Sequence, residues 1–207
     1  MPLRLLCLHG WGTNQKILQS QLSALMHELQ RDNTATFSFL EGDVDSDPGP
    51  GIAGYYDGPY YSYYRFPRTF SHEDSDESDI LEAYEQLSET VALEGPFDGV
   101  LGFSHGGTLA AGFMIHHAKM NPNEPALFRC AIFINSLPPF RMEPGKRPIV
   151  DKGLEGFISI PACISLELKT HSLNTQWPCI DSVLEGIRHL PYMGRAMMSP
   201  VIGRMSP

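Results

Sequence analysis

Four scarcities narrow this 207-residue chain before any motif is read. It lacks a membrane-spanning run: the apolar stretch Leu3 to Leu8 is too short to cross a bilayer. That stretch also leads into a glycine loop instead of a small-residue cleavage site, so no secretory signal is expected and the expected location is cytoplasmic. It lacks a basic stripe: 15 Lys and Arg stand against 24 Asp and Glu, a formal net charge of −9, and no cluster of them could track phosphates. Nucleic acid is therefore not an expected partner, and neutral or apolar small molecules fit better.

Cysteine is sparse too. Cys7, Cys130, Cys163 and Cys179 are far apart, and two lie in strand-like runs, which reads as reduced thiols without a disulfide framework. Metal-ligand spacing is missing. The acidic run His72, Glu73, Asp74, Asp76, Glu77 and Asp79 has no H-E-x-x-H pattern, and Asp43, Asp45 and Asp47 have no glycine and glutamate in calcium-loop register. Gly145-Lys146 has no glycine at phosphate-loop spacing before it. No metal and no cofactor is expected, and no internal repeat is visible.

What the chain does have is apolar residues at 42%, enough for one core, and a single domain over residues 1–207 is the expectation. Leu3 to Leu8 is nearly continuous, as in a strand buried on both faces of a parallel sheet. Leu18, Leu22, Leu25 and Leu29 then follow helical spacing behind Asn14, a capping residue. Thr34 to Leu40 reads as a strand. Residues 41–79 form a long stretch without a period, rich in tyrosine from Tyr55 to Tyr64.

Helical spacing returns at Ile80, Tyr84, Leu87 and Val91 and closes at Gly95-Pro96. Phe97 to Phe103 reads as a strand, His105 to Met120 as a helix, Leu127 to Leu137 as a strand. Strands alternating with helices predict a doubly wound, mostly parallel α/β sheet.

Gly102-Phe103-Ser104-His105-Gly106 spells G-x-S-x-G between a strand and a helix. A serine on so sharp a turn needs glycines on both sides, because a Cβ there would block the passing strand and helix. Such a turn exposes the Ser104 hydroxyl and aims helix-start N–H groups at the same space, where they can stabilise an oxyanion. The backbone N–H of His105 is one candidate donor. The backbone N–H of Trp11, in the loop His9-Gly10-Trp11-Gly12 after the first strand, is the second. The imidazoles of His9 and His105 read as scaffolding, and His116-His117 as solvent-facing or packed.

These residues resemble the fungal small serine hydrolases called the FSH family, relatives of a human ovarian-tumour-associated hydrolase. The resemblance rests on L-C-L-H-G-W-G-T-N (Leu6 to Asn14), F-D-G-V-L-G-F-S-H-G-G (Phe97 to Gly107) and A-I-F-I-N-S (Ala131 to Ser136), and covers roughly Leu3 to Pro161. It implies the α/β-hydrolase fold, a Ser-Asp-His triad with Ser104 as nucleophile, esterase or thioesterase activity, and no cofactor. Several fungal members work beside polyketide synthases. The implied substrate is a small-molecule ester or an acyl thioester on a synthase carrier domain, and the tyrosine-rich loop either lines an acyl groove or packs onto the sheet.

The resemblance breaks at Ala162. The family acid follows I-P-T-x-H-x-x-G-x-x-D and the family histidine lies in G-x-G-H-x-x-P; neither is present, so the fold is expected to be incomplete at its C-terminus. Residues 162–207 read as a divergent tail in which the strand pattern fades. When each codon takes the last base of one triplet and the first two of the next, the genetic code permits H-I-V-G-A-K-D beginning at Cys163. In the same frame it permits H-G-K-G-H-D-V-P from Tyr192 to Pro200, so a frameshift near Ala162 accounts for both losses. The family acid would then fall near Lys169 and the histidine near Ala196; His171, Asp181 and His189 are the nearest stand-ins and receive no role. Three functions remain open: a serine hydrolase, an inactive protein of the same fold, and an acyl-ligand binder.

Overall fold

The computed structural model describes residues 1–66, 78–142, 148–151, 158, 160 and 162–165. Strand β1 (Leu3–Leu8) buries every residue except Arg4, which is half-buried. It can do so because it lies inside the sheet, paired in parallel with β2 (Ala35–Leu40) on one side and β5 (Gly99–Phe103) on the other. Strand β6 (Cys130–Ile134) follows β5, and β9 (Ala162–Ser165) follows β6, giving the order β2-β1-β5-β6-β9 with every pairing parallel.

Alternate residues of β1 serve opposite faces, as a period of two requires. Leu3, Leu5 and Cys7 pack with Leu18, Leu22, Leu25 and Leu29. Leu6 and Leu8 pack with Ile80, Ala83, Tyr84 and Leu87 and with Leu109 and Phe113. Helices α1 (Gln15–Gln21) and α2 (Ser23–Arg31) thus cover one face, α3 (Ser78–Glu94) and α4 (His105–Met120) the other. This is the doubly wound α/β sheet that the sequence predicts.

The first helix is a correction. The chain breaks at Leu22 (φ −91°, ψ 2°) into α1 and α2, where the leucine spacing predicts one helix. All four leucines remain buried, so the apolar spacing survives the break and conceals it. Asn14 caps α1 as expected: its Oδ1 accepts from the Ile17 N–H at 2.9 Å, and its Nδ2 donates to the Pro59 carbonyl at 2.7 Å.

The stretch after β2 is more ordered than its sequence predicts. It contains the antiparallel pair β3 (Val44–Asp45) and β4 (Tyr61–Ser62), a bridge from Thr13 to Tyr61, and two buried tyrosines, Tyr63 and Tyr64. For those two side chains the packing reading holds; Tyr55 is exposed. The acidic run from His72 to Glu77 lies outside the described residues.

A second hairpin, β7 (Phe140–Arg141) with β8 (Ile149–Val150), separates β6 from β9, and Arg141 pairs with Asp151 at 2.8 Å. Strand β9 revises the expected fading of the strand pattern at Ala162: pairing with β6 runs from Ala131↔Ala162 to Ile134↔Ser165. The β6 backbone offers a complete ladder there, and tertiary pairing outweighs a weak local pattern. Cys7 and Cys130 are buried free thiols; burial pushes Cys7 far up and Cys130 to about 11. Cys179 lies outside the described residues.

Candidate active site

Register places the two predicted loops side by side. Leu8 pairs with Gly102, so the chain leaving β1 and the chain leaving β5 emerge together at the C-terminal edge of the sheet. Ser104 sits between β5 and α4 with φ 51° and ψ −114°, a left-handed conformation costly for a residue with a side chain. Its neighbours hold it there. The Ser104 N–H donates to the Ile134 carbonyl at 2.8 Å, and its carbonyl accepts from the N–H groups of Gly107 and Thr108 at 3.0 and 3.1 Å.

The glycines are needed because backbone approaches backbone. A Cβ on Gly106 would lie 2.5 Å from the Leu8 carbonyl oxygen and 2.6 Å from that of His9. One on Gly102 would run into the Gly107 Cα, and one on Gly107 into the Ser136 hydroxyl. The first turn of α4 therefore lies directly on the loop after β1. The Ser104 hydroxyl makes no capping bond to α4, so it is not consumed by the helix it precedes.

The loop after β1 is tied down residue by residue. The Gly12 N–H donates to the Tyr61 carbonyl at 3.0 Å, and the Gly12 carbonyl accepts from the Gly49 N–H at 2.9 Å. The Trp11 ring meets Phe66 edge-on at 5.5 Å. Its indole N–H is buried and has no hydrogen-bond partner among the described residues.

Scaffolding was the expected role of His9 and His105, and both imidazoles perform it directly instead of only lending backbone. His9 is fully buried. Its Nε2 accepts from the Gly42 N–H at 2.9 Å, which places the ring proton on Nδ1, donating to the Gly10 carbonyl at 2.8 Å. Burial lowers its pKa to about 4, so it is neutral at ordinary pH. Glu41 Oε1 lies 3.7 Å from the same Nε2, and burial raises the Glu41 carboxyl above its usual value. His105 Nε2 accepts from the Tyr63 N–H at 3.3 Å, with Tyr64 and Phe66 against the ring at 4.1 and 5.1 Å.

Sequence reasoning missed Tyr63, Glu41 and Gly42. Their only visible signal was the density of tyrosine from Tyr55 to Tyr64 and the strand ending at Leu40. On α4, His116 packs on Tyr84 at 5.2 Å, and His117 Nε2 lies 3.7 Å from Glu124. Lys169, Ala196, His171, Asp181 and His189 all lie outside the described residues. Among the described residues no group of three or more His, Cys, Asp or Glu is arranged to hold a metal ion, and no helix is long and apolar enough to cross a membrane.

Residues 1–156 match the family described as "Serine hydrolase (FSH1)". Hydrolase phiM of Talaromyces stipitatus is 49% identical over 166 residues, covering 78% of this chain and 66% of that protein. Esterase FPY3 of Fusarium mangiferae is 42% identical over 131 residues, covering 62% of this chain and 57% of that one. The chain thus spans about two thirds of the first relative's length and less of the second's.

Among solved structures, a Bacillus cereus carboxylesterase superposes with a TM-score of 0.57 at 16% identity, covering 91% of this chain and 89% of that one. Arabidopsis thaliana SOBER1 superposes with a TM-score of 0.54 at 15% identity, covering 92% and 100%. Those two likenesses show the fold. With its matched span, its parallel sheet and a serine on a glycine-lined strand-to-helix turn, the chain belongs to the FSH1 serine hydrolase family and carries the α/β-hydrolase fold.

Proposed function

We propose that this chain is an esterase or thioesterase with Ser104 as nucleophile. Its oxygen attacks the acyl carbonyl, and the backbone N–H groups of Trp11 and His105 hold the oxyanion. The alcohol or thiol then leaves with a proton, and water releases the acid and restores the serine. One observation carries the reading: Ser104 is held at φ 51° on a turn whose Gly102 and Gly106 are pressed against backbone and whose Gly107 is pressed against Ser136, while its hydroxyl makes no capping bond to α4. Strain of that kind persists only where the surrounding structure enforces it. Relatives named esterases support the reaction class, and resemblance to fungal family members supports an acyl thioester on a polyketide synthase carrier domain as substrate.

Ser104 needs a base. His9 spends both ring nitrogens on backbone partners, and His105 Nε2 is held by the Tyr63 N–H. That engagement favours, as a second reading, an inactive hydrolase or an acyl-ligand binder built on the same domain. A frameshift near Ala162 would leave the encoded tail without the family base and its carboxylate, which is the state the second reading describes.

A fluorophosphonate probe separates the readings. Labelling of the purified chain that disappears in Ser104→Ala supports the hydrolase; ligand retention without labelling supports the binder. The coding DNA tests the frameshift, which fails if the shifted frame does not read H-I-V-G-A-K-D and H-G-K-G-H-D-V-P.

A further inference from the structure

We infer that Tyr63 is a positioning residue that locks the two halves of the oxyanion site, the loop after β1 and the turn before α4, into one spacing; this rests on the Ser104 reading. Strands β1 and β2 pair as far as Leu8↔Leu40 and then part. At the parting point the Tyr63 hydroxyl stands between them. It accepts from the His9 N–H at 2.8 Å and donates to the Leu40 carbonyl at 2.9 Å. The backbone N–H of the same residue donates to His105 Nε2 at 3.3 Å. The ring lies between the two histidines, 4.7 Å from His9 and stacked at 17° on His105 at 5.9 Å.

Both ends of this link adjoin a candidate donor. His9 is two residues from Trp11 on a loop already fixed by Gly10, Gly12 and Gly42, so a shift of His9 is passed along the backbone to the Trp11 N–H. His105 carries the other donor on its own backbone. A hole that binds an oxyanion must have its donors set before the charge develops, since rate is lost steeply when they are displaced by even about 1 Å. Tyr63 is only 2% exposed and its hydroxyl is satisfied in both directions, so its position has little freedom. Gly10 shows the same tightness from the other side, where a Cβ would lie 3.1 Å from the Phe103 ring.

Tyr63→Phe tests the link, because it keeps the ring and the backbone N–H and removes the hydroxyl. With the melt showing a folded protein, the maximal rate of fluorophosphonate labelling at Ser104 falls about tenfold or more while the probe's half-saturation concentration is unchanged. Labelling at the wild-type rate overturns the proposal. If Tyr63→Phe does not fold, His105→Leu asks the question from the other end, with His105→Gln, which keeps an acceptor for the Tyr63 N–H, restoring the rate.

A wild-type chain that takes no label counts against the Ser104 reading, and backbone amide spectra then decide the matter of Tyr63 independently. Tyr63→Phe shifts the amides of both Trp11 and His105 if the link exists. Shifts confined to His9 and Leu40 overturn it.

Discussion

Gly102 and Gly107 face each other across the Ser104 turn so closely that a Cβ on the first would collide with the Cα of the second. Neither the strand nor the helix can retreat, because Gly106 is pressed against the Leu8 and His9 carbonyls at the same time. Gly102→Ala therefore lowers stability by about 3 kcal/mol, the upper end for an overpacked site. Chemical denaturation followed by circular dichroism measures it, and a loss within error of zero contradicts the backbone contact.

Replacing Ser104 by glycine has the opposite sign for stability. The conformation at φ 51° and ψ −114° is costly for serine and open to glycine, so Ser104→Gly stabilises the fold by about 1 kcal/mol while abolishing any labelling at this position. Ser104→Ala keeps the strain and shows no such gain. A thermal melt of the two variants side by side distinguishes relief of strain from simple loss of the hydroxyl.

How much of this was legible in the sequence divides by distance along the chain. The turn at Ser104, the buried β1 and the Asn14 cap are each encoded within a few neighbouring residues, by glycine spacing, apolar continuity and a side chain reaching three positions ahead. The break at Leu22 was invisible because the leucine spacing runs through it unchanged. The two-residue strands β3 and β4 are too short to show a period. The bonds around Tyr63 were beyond local reading, since its hydroxyl meets a backbone group 54 residues away. Strand β9 was hidden for a related reason: its pairing partner, not its own four residues, makes it a strand.

Acid sensitivity follows from His9. Its folded pKa of about 4 lies below the 6.5 of an exposed histidine, so the unfolded chain takes up a proton first as pH falls. The His9 contribution is complete above pH 6.5, shrinks between 6.5 and about 4, and levels off below, for a total near 3 kcal/mol. Denaturation midpoints across that window check the slope. His9→Gln, which cannot titrate, flattens it.

Asn14 joins two parts of the chain. Asn14→Ala removes the cap on α1 and leaves the Pro59 carbonyl without its 2.7 Å donor, costing about 1 kcal/mol or somewhat more. Asn14→Asp keeps the cap and loses the donor, so its smaller loss, measured in the same denaturation series, apportions the two bonds.

The bond from the Ser104 N–H to the Ile134 carbonyl also sets an order of events during synthesis. A chain growing from the ribosome cannot close the serine turn until Ile134 has cleared the exit tunnel, yet it needs nothing beyond β6 for that closure. The backbone bonds of Ser104 are thus complete while the last part of the polypeptide is still being translated. A nascent chain stalled once β6 is outside the tunnel has the Ser104 N–H bond to Ile134 and the Gly107 and Thr108 bonds to the Ser104 carbonyl.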